Sequence, residues 1–218
     1  MIASLLAGGL VLSSCGLSNA VKGAGIGAGA GAIIGAGVGR VLGNTGLGAA
    51  IGGVVGGTAG TLIGNKMDKQ KRELEEKMKT AKVESVNDGQ AIRVTFDSGI
   101  LFATGKATLS TSSQQELRKF AANLQSHTQT DILIVGHTDN TGSDKINEPL
   151  SLDRAGSVRS FLASQGVSTA RMQVEGKGSR EPIADNSTAA GRQENRRVEV
   201  YILPNKAMIE AAQNGTLK

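Results

Sequence analysis

The sequence predicts an α/β sandwich, in which helices pack on one face of a mixed sheet, preceded by a glycine-rich helical hairpin. Patterns typical of strands alternate with patterns typical of helices through the second half of the 218 residues. All four Phe and the only Tyr lie there, between Phe96 and Tyr201, so the packed core is expected there too. In the first half, glycines recur every four residues, which places them along one stripe of a helix.

The predicted elements of the sandwich follow in the order βαβαββ. Ala91–Phe96 alternates apolar and polar residues, as a half-buried strand does. Ile132–Val135 is a continuous apolar run, typical of a central strand that is covered on both faces. Ser151 is placed to cap the second helix. The predicted strands are 91–96, 132–135, 172–175 and 197–203, and the predicted helices are 112–125 and 152–163.

Residues 15–64 are predicted to form a lipid anchor and a glycine-zipper helical hairpin. Residues 23–64 hold 17 glycines, no acid, no aromatic residue and a single base. In water this composition disfavours a helix, because each Gly costs roughly 1 kcal/mol relative to Ala, whereas in a bilayer small residues let helices pack closely. The segments 21–42 and 46–64 each have about the 20 residues that a membrane span needs. Two other interpretations stay open, a flexible tether and self-association into homo-oligomers through the same stripes.

Residues 1–14 resemble a bacterial lipoprotein signal peptide, in which Cys15 would become the lipidated first residue of the mature chain. The apolar run at 2–12 precedes Ser13, Ser14 and Cys15. Two departures are that Ser14 stands where Gly or Ala is preferred, and that no Lys or Arg precedes the apolar run. Because Cys15 is the only cysteine, an internal disulfide is excluded. The alternative interpretation is a free thiol in a conventional signal or anchor helix.

Residues 65–82 are predicted to form a charged, solvated helical linker, followed by a globular domain at 83–204 and a C-terminal tail at 205–218. The linker holds seven bases and four acids, with pairs such as Glu75–Lys79 at the helical i,i+4 spacing. The domain holds 13 Lys and Arg against 14 Asp and Glu, so the net charge of +5 comes from the linker and the termini. Because nucleic-acid binding needs clustered bases, no nucleic-acid partner is expected.

Asp139 and Arg154 are the leading candidates for a ligand-binding site. Asp139 follows the strand predicted at 132–135, where α/β sheets usually place ligands. Arg154 is predicted in the first turn of the next helix, near free backbone N–H groups that attract anions. Its guanidinium can hold a carboxylate through two parallel hydrogen bonds, and the acid can hold an ammonium. From the residues alone, a ligand grip and a simple Asp139–Arg154 ion pair that pins the loop are equally supported.

The segment GHTDNTGSDKINEPLSLDRAGSV at 136–158, together with NRRVEV at 195–200, resembles the OmpA-like peptidoglycan-binding family. The resemblance covers roughly 92–203. It implies that Asp139 takes the ammonium and Arg154 the carboxylate of diaminopimelate in the peptidoglycan stem peptide. The secondary ligand contacts that it implies are Thr138, Asn147, Arg196 and the backbone of Gly105.

Three of these secondary contacts carry qualifications. Asn147 has the alternative role of closing its own loop, as Asn often does. Arg196 and Arg197 are neighbours in a predicted strand, so their side chains should face opposite ways, and Arg196 is assigned to the site. Gly105 stands where the family often has a polar side chain, so its contact must come from the backbone.

The resemblance implies a non-catalytic lipoprotein of the bacterial outer membrane, anchored through Cys15, whose periplasmic domain binds peptidoglycan and tethers the envelope to the wall. No metal or cofactor is expected, because His137 and Asp139 lack the further convergent ligands that a metal site needs. An alternative from another class is a membrane-embedded, oligomer-forming protein. In that case glycine-zipper assembly is the main activity and wall binding only positions it.

Overall fold

The computed structural model describes residues 55–103 and 105–218. The chain-order elements are helix α1 (Gly57–Lys77), strands β1 (Ala81–Val86) and β2 (Ala91–Asp97), helices α2 (Ser98–Leu101) and α3 (Thr111–Ser126), strand β3 (Thr130–Gly136), helix α4 (Asp144–Ser164), strand β4 (Met172–Gly176), helix α5 (Ala189–Asn195), strand β5 (Arg197–Pro204) and helix α6 (Lys206–Gln213). A short 3₁₀ turn, Thr169–Arg171, precedes β4.

The strands form one mixed sheet in the order β1-β2-β5-β3-β4. Strand β5 lies antiparallel between β2 and β3, whereas β3 and β4 are parallel and are joined through α4, as a parallel pair requires. From β2 to β5 the long elements follow the predicted βαβαββ order, and the predicted α/β sandwich is confirmed. Strand β1, which pairs with β2, was not predicted.

The core lies between the sheet and its covering helices. Ile92, Val94 and Phe96 of β2 stand opposite Ile202, Val200 and Val198 of β5, and all six are buried. On the helix side, Phe120 of α3 meets Phe96 edge to face, with ring centroids 5.6 Å apart. Because the pleat puts alternate residues on opposite faces, the alternation at 91–96 correctly predicted which face is covered.

Helix α1 packs onto the domain, so the prediction of a solvated helix at 65–82 was wrong. Its buried apolar stripe is formed by Ala59, Ile63, Met67 and Leu74. The sequence interpretation began the linker at residue 65 and therefore counted only the sparse end of this stripe. Ala59, Ile63 and Met67 are four residues apart and Leu74 follows Met67 by seven, spacings that place these side chains on one helical face, and that face is buried.

Polar contacts fix the same helix against α3. Gln70 Nε2 donates to Asn123 Oδ1 at 2.9 Å, with both side chains buried. Glu73 Oε2 and His127 Nε2 lie 2.8 Å apart. This pair holds the pKa of Glu73 below its ordinary value, chiefly through the hydrogen bond from His127. Hydrogen bonds between buried groups fix one helix register, because a shift would leave them unpaired.

Helix α4 begins earlier than predicted, at Asp144 after Ser143. The prediction that Ser151 caps a helix starting at 152 was therefore wrong. Pro149 suggested a break, since proline removes one helical hydrogen bond, but the helix continues through it. Ser151 instead lies inside α4, where its Oγ donates to the carbonyl of Glu148 at 2.8 Å and accepts from Gly178 N at 2.9 Å.

At both ends of the described chain, segments predicted to lie outside the domain pack against it. Residues 57–64, assigned to the second hairpin segment, are helical but belong to α1 and pack on the domain. The C-terminal tail predicted at 205–218 contains α6, which buries Met208, Ile209 and Ala212. The signal peptide at 1–14, Cys15 and the rest of the hairpin lie outside the described residues. Within residues 55–103 and 105–218, no helix is long and apolar enough to cross a membrane.

Candidate ligand-binding cleft

A cleft of about 510 Å³ lies where β3 and β5 meet α2, α4 and α5. It opens beside the loop that follows β3, at the strand end where the sequence predicted a site. The described residues that line it are Ser98, Gly99, Phe102, Ala103, Gly105, Thr138, Asp139, Thr141, Ile146, Asn147, Leu150, Arg154, Arg192 and Arg196. All six residues that the sequence assigned to ligand binding are among them.

Two glycines set the depth at which α4 crosses the strand ends. A Cβ on Gly136 of β3 would lie 2.0 Å from the carbonyl oxygen of Ser151, and one on Gly176 of β4 would lie 2.7 Å from Leu152 N. Gly136 and Gly176 are paired neighbours in the sheet. Only glycine allows this approach, and the approach carries the next turn of α4, with Arg154, to the cleft.

Arg154 is buried, with 3% of its surface exposed. Its Nε donates to the carbonyl of Lys106 at 3.1 Å, and its guanidinium carbon lies 5.4 Å from the centre of the Phe102 ring, a cation–π contact. Burial lowers the pKa of Arg154, and the nearby charge of Arg196 acts in the same direction. Arg154 lies ten residues inside α4, so its prediction in the first helical turn, near free N–H groups, was wrong.

Asp139 pairs with Arg196 rather than with Arg154. Its Oδ2 lies 2.5 Å from Arg196 Nη1, and its Oδ1 accepts from Thr141 N at 2.8 Å. Burial alone would raise the pKa of Asp139, but the bonds from Arg196 and Thr141 hold that pKa below its ordinary value. Asp139 is therefore a carboxylate at neutral pH, and the alternative of a simple Asp139–Arg154 pair was wrong.

Thr138, Asn147 and Gly105 line the cleft in different ways. Thr138 is 5% exposed, and its Oγ1 is shielded from solvent without a hydrogen-bond partner among the described residues. Asn147 closes its own loop, because its Nδ2 donates to the carbonyls of Thr141 at 3.2 Å and Asp139 at 3.4 Å. Gly105 has a φ of 67°, a left-handed conformation that favours glycine, so only its backbone is presented to a ligand.

Arg192 lines the cleft and was missed by the sequence interpretation. Its Nη1 donates to the carbonyls of Asn186 at 2.9 Å and Ser187 at 3.1 Å. It precedes Arg196 by four residues, a spacing that puts two side chains on one helical face, and this spacing was the signal available in the sequence. Arg197, by contrast, is buried away from the cleft with its Nε 2.7 Å from Glu199 Oε1.

Comparisons with known proteins identify the family of the domain that holds this cleft. Residues 101–196 match the model of the OmpA family. The chain contains an OmpA-family domain. Residues 26–71 match the model of a glycine zipper, a range that ends within α1.

Individual relatives extend over parts of the chain. The probable lipoprotein YiaD of Escherichia coli is 37% identical over 142 residues, which cover 65% of this chain and 65% of that protein. The peptidoglycan-binding protein ArfA of Mycobacterium tuberculosis is 38% identical over 112 residues, which cover 51% of this chain and 34% of that protein. The chain thus spans less than two thirds of the length of these relatives.

A solved structure has a similar fold over much of this chain. The cell wall anchor of the T6SS from Pseudomonas aeruginosa is 28% identical, with a TM-score of 0.52 over 66% of this chain and 96% of that one. Nearly the whole length of that structure therefore aligns with the OmpA-family domain of this chain and the elements around it.

Behind the cleft, the OmpA-family domain buries His137 with 1% of its surface exposed. Its Nε2 lies 3.8 Å from Glu199 Oε2, and burial lowers its pKa to about 4, with the charge of Arg197 acting in the same direction. The described residues contain no group of three or more His, Cys, Asp or Glu side chains placed to hold a metal ion. His137 is therefore held neutral at neutral pH beside the first residues of the cleft.

The buried His137 makes the OmpA-family domain lose stability in mild acid. The unfolded chain binds a proton at His137 below about pH 6.5, whereas the folded chain does so only near pH 4. Unfolding is therefore favoured as pH falls, and the expected loss is about 2 kcal/mol between pH 7 and pH 5. Urea unfolding at both pH values measures this loss, and a His137→Gln variant should show a smaller one. An equal loss in the variant and the parent would contradict the assignment.

Proposed function

We propose that this chain is a non-catalytic outer-membrane lipoprotein that binds peptidoglycan through the cleft and tethers the envelope to the cell wall. The ligand group is the diaminopimelate of the stem peptide, whose free end carries one ammonium and one carboxylate. The observation that carries the proposal is Arg154, a buried guanidinium that lines the cleft next to the carboxylate of Asp139.

The surroundings of Arg154 favour a carboxylate as its partner. Among the described residues, only its Nε has a recorded hydrogen bond, to Lys106. A buried charge without an opposite charge is costly, and a carboxylate can satisfy two guanidinium N–H groups at once. Because the Phe102 ring lies against the guanidinium, the ligand carboxylate is expected to approach from the side away from that ring.

Asp139 is suited to the ligand ammonium. A carboxylate offers about four lone-pair sites, and Arg196 and Thr141 use only part of this capacity. The lowered pKa of Asp139 keeps it charged across the physiological range. The ligand ammonium can therefore bind Asp139 beside Arg196. Asn147 holds the loop that carries Asp139 through its bonds to the carbonyls of Asp139 and Thr141.

The wider setting supports a wall tether. Among the relatives, one is named a lipoprotein and another a peptidoglycan-binding protein, and the similar solved structure is described as a cell wall anchor. We infer that Cys15 carries the lipid. We also infer that the glycine-rich region packs helix on helix in the membrane, within one chain or between copies, since a glycine zipper matches there.

Removal of the charge of Asp139 or of Arg154 is expected to weaken peptidoglycan binding strongly. Asp139→Asn and Arg154→Gln should each reduce the affinity of the full chain for purified sacculi by roughly thirtyfold, about 2 kcal/mol, because each breaks a charge-assisted contact. Co-sedimentation over a range of sacculus concentrations measures the affinity, and circular dichroism confirms that each variant is folded.

Two matched variants separate the specific effects of Asp139 and Arg154 from the general effect of removing a charge. Asp153→Asn removes a carboxylate from an exposed position on α4, next to Arg154 in the chain. Arg118→Gln removes an exposed guanidinium from α3. Neither residue lines the cleft. Both should bind like the parent. If Asp139→Asn and Arg154→Gln also bind like the parent, the ligand assignment is wrong.

A further inference from the structure

The charges that line the cleft do not balance. Three guanidinium groups, those of Arg154, Arg192 and Arg196, face one carboxylate, that of Asp139, among the described lining residues. Arg196 and Asp139 neutralise each other, which leaves two positive charges. The free end of diaminopimelate is a zwitterion that adds no net charge, and its single carboxylate can pair with only one of the two remaining guanidinium groups.

We propose that Arg192 holds a second carboxylate of the ligand, so that the cleft selects stem peptides in which the peptide-side carboxyl of diaminopimelate is free. This inference rests on the proposed function and names the ligand class more narrowly. When diaminopimelate ends the stem peptide, it presents a second carboxylate beside its zwitterionic end. When that carboxyl is an amide, this charge is lost and Arg192 has no partner in diaminopimelate.

The position of Arg192 fits a second anion site. Its Nη1 is held by the carbonyls of Asn186 and Ser187, which fixes the guanidinium while Nε and Nη2 have no recorded hydrogen bond among the described residues. Guanidinium groups that are fixed in advance lose less conformational entropy when an anion binds. Arg192 and Arg196 lie one helical turn apart at the end of α5, so the second site adjoins the Asp139–Arg196 pair.

The like charges that line the cleft also favour a ligand with a second carboxylate. Burial lowers the pKa of Arg154, and the charge of Arg196 acts in the same direction, so these two guanidinium groups repel each other in the free chain. A diaminopimelate with two free carboxylates can place an anion beside both Arg154 and Arg192, whereas one with a single free carboxylate can place an anion beside Arg154 alone. Charge balance therefore favours the dicarboxylate ligand.

The test compares two synthetic tripeptides, L-Ala-γ-D-Glu-diaminopimelate, with the peptide-side carboxyl of diaminopimelate either free or as its carboxamide. Calorimetric titration of the full-length chain in detergent should give about tenfold tighter binding of the free acid. Arg192→Gln should remove this preference by weakening the free acid about tenfold and leaving the amide unchanged. Arg192→Lys should retain part of the preference, and Arg118→Gln should leave both affinities as in the parent.

The outcomes distinguish failure of the second carboxylate site from failure of the proposed function. Equal binding of the two peptides by the parent would overturn the second carboxylate site and leave the proposed function standing. If Arg192→Gln weakens both peptides equally, Arg192 acts only by pinning the loop at 186–187, and the inference is wrong. If the parent binds neither peptide, the proposed function fails together with the inference. The comparison of peptides on the parent chain does not depend on how well any variant folds.

Discussion

Gly136→Ala is expected to destabilise the domain by about 3 kcal/mol and to abolish wall binding, because it drives α4 away from the sheet. The added Cβ would lie 2.0 Å from the carbonyl oxygen of Ser151 and 2.8 Å from its carbonyl carbon. Both are backbone atoms of a helix, so no side-chain rotation relieves the overlap, and the cost falls at the upper end of the range for overpacking. Chemical denaturation measures the stability, and sacculus co-sedimentation measures the binding.

Gly156→Ala is the matched control, since the same methyl group is added to α4 itself. A Cβ at Gly156 would have no neighbour within 4 Å, and alanine is the better helix former. This variant should be more stable than the parent by about 1 kcal/mol and should bind normally. If Gly136→Ala also keeps parental stability, α4 can shift without cost, and the close approach does not fix the position of Arg154.

The elements that the sequence predicted well are those whose pattern depends on the sheet alone. The alternation at 91–96 and the apolar run at 132–135 identified β2 and β3 because one or both faces of these strands are covered. Strand β1 was missed because, at the sheet edge, only half-buried and exposed positions occur. Its residues therefore show no clear contrast between two faces.

The start of α4 was missed because local and tertiary preferences disagree there. Ser151 before an apolar helical pattern matches a helix N-terminus, and Pro149 suggests a break before it, yet the helix begins at Asp144. The hydroxyl of Ser151 donates to the carbonyl of Glu148 and accepts from Gly178 N instead of capping a helix. The bond from Gly178 comes from the packing of α4 against the chain just after β4, which no local pattern reveals.

The candidate site shows a similar division between what is local and what is not. The sequence predicted that Asp139 and Arg154 would lie together, because a strand end and the following helix are adjacent in α/β folds. It did not predict that Arg196 would hold Asp139 at 2.5 Å, since that pair joins positions 57 residues apart in the chain. Arg192 was missed although its four-residue spacing from Arg196 was visible in the sequence, because α5 reaches the cleft only through its place before β5.

Leu74→Ala is expected to destabilise the domain by about 3 kcal/mol, although residue 74 lies in a segment whose composition indicates a solvated linker. Leu74 is fully buried, in a stripe with Ile63 and Met67 that joins the main core. Removal of a buried leucine side chain costs its transfer free energy and leaves a cavity. The free energy of unfolding from urea titration gives the measurement.

Glu76→Ala provides the comparison, because Glu76 is exposed two positions further along the same helix and alanine preserves helix propensity. Its effect should stay within about 0.5 kcal/mol. Equal, small effects of the two variants would mean that α1 is a detachable spacer. A large difference would mean that the chain leaving the glycine-rich region is fixed to the domain through α1. In that case the direction in which the cleft faces is set by the packing of α1 rather than by a flexible tether.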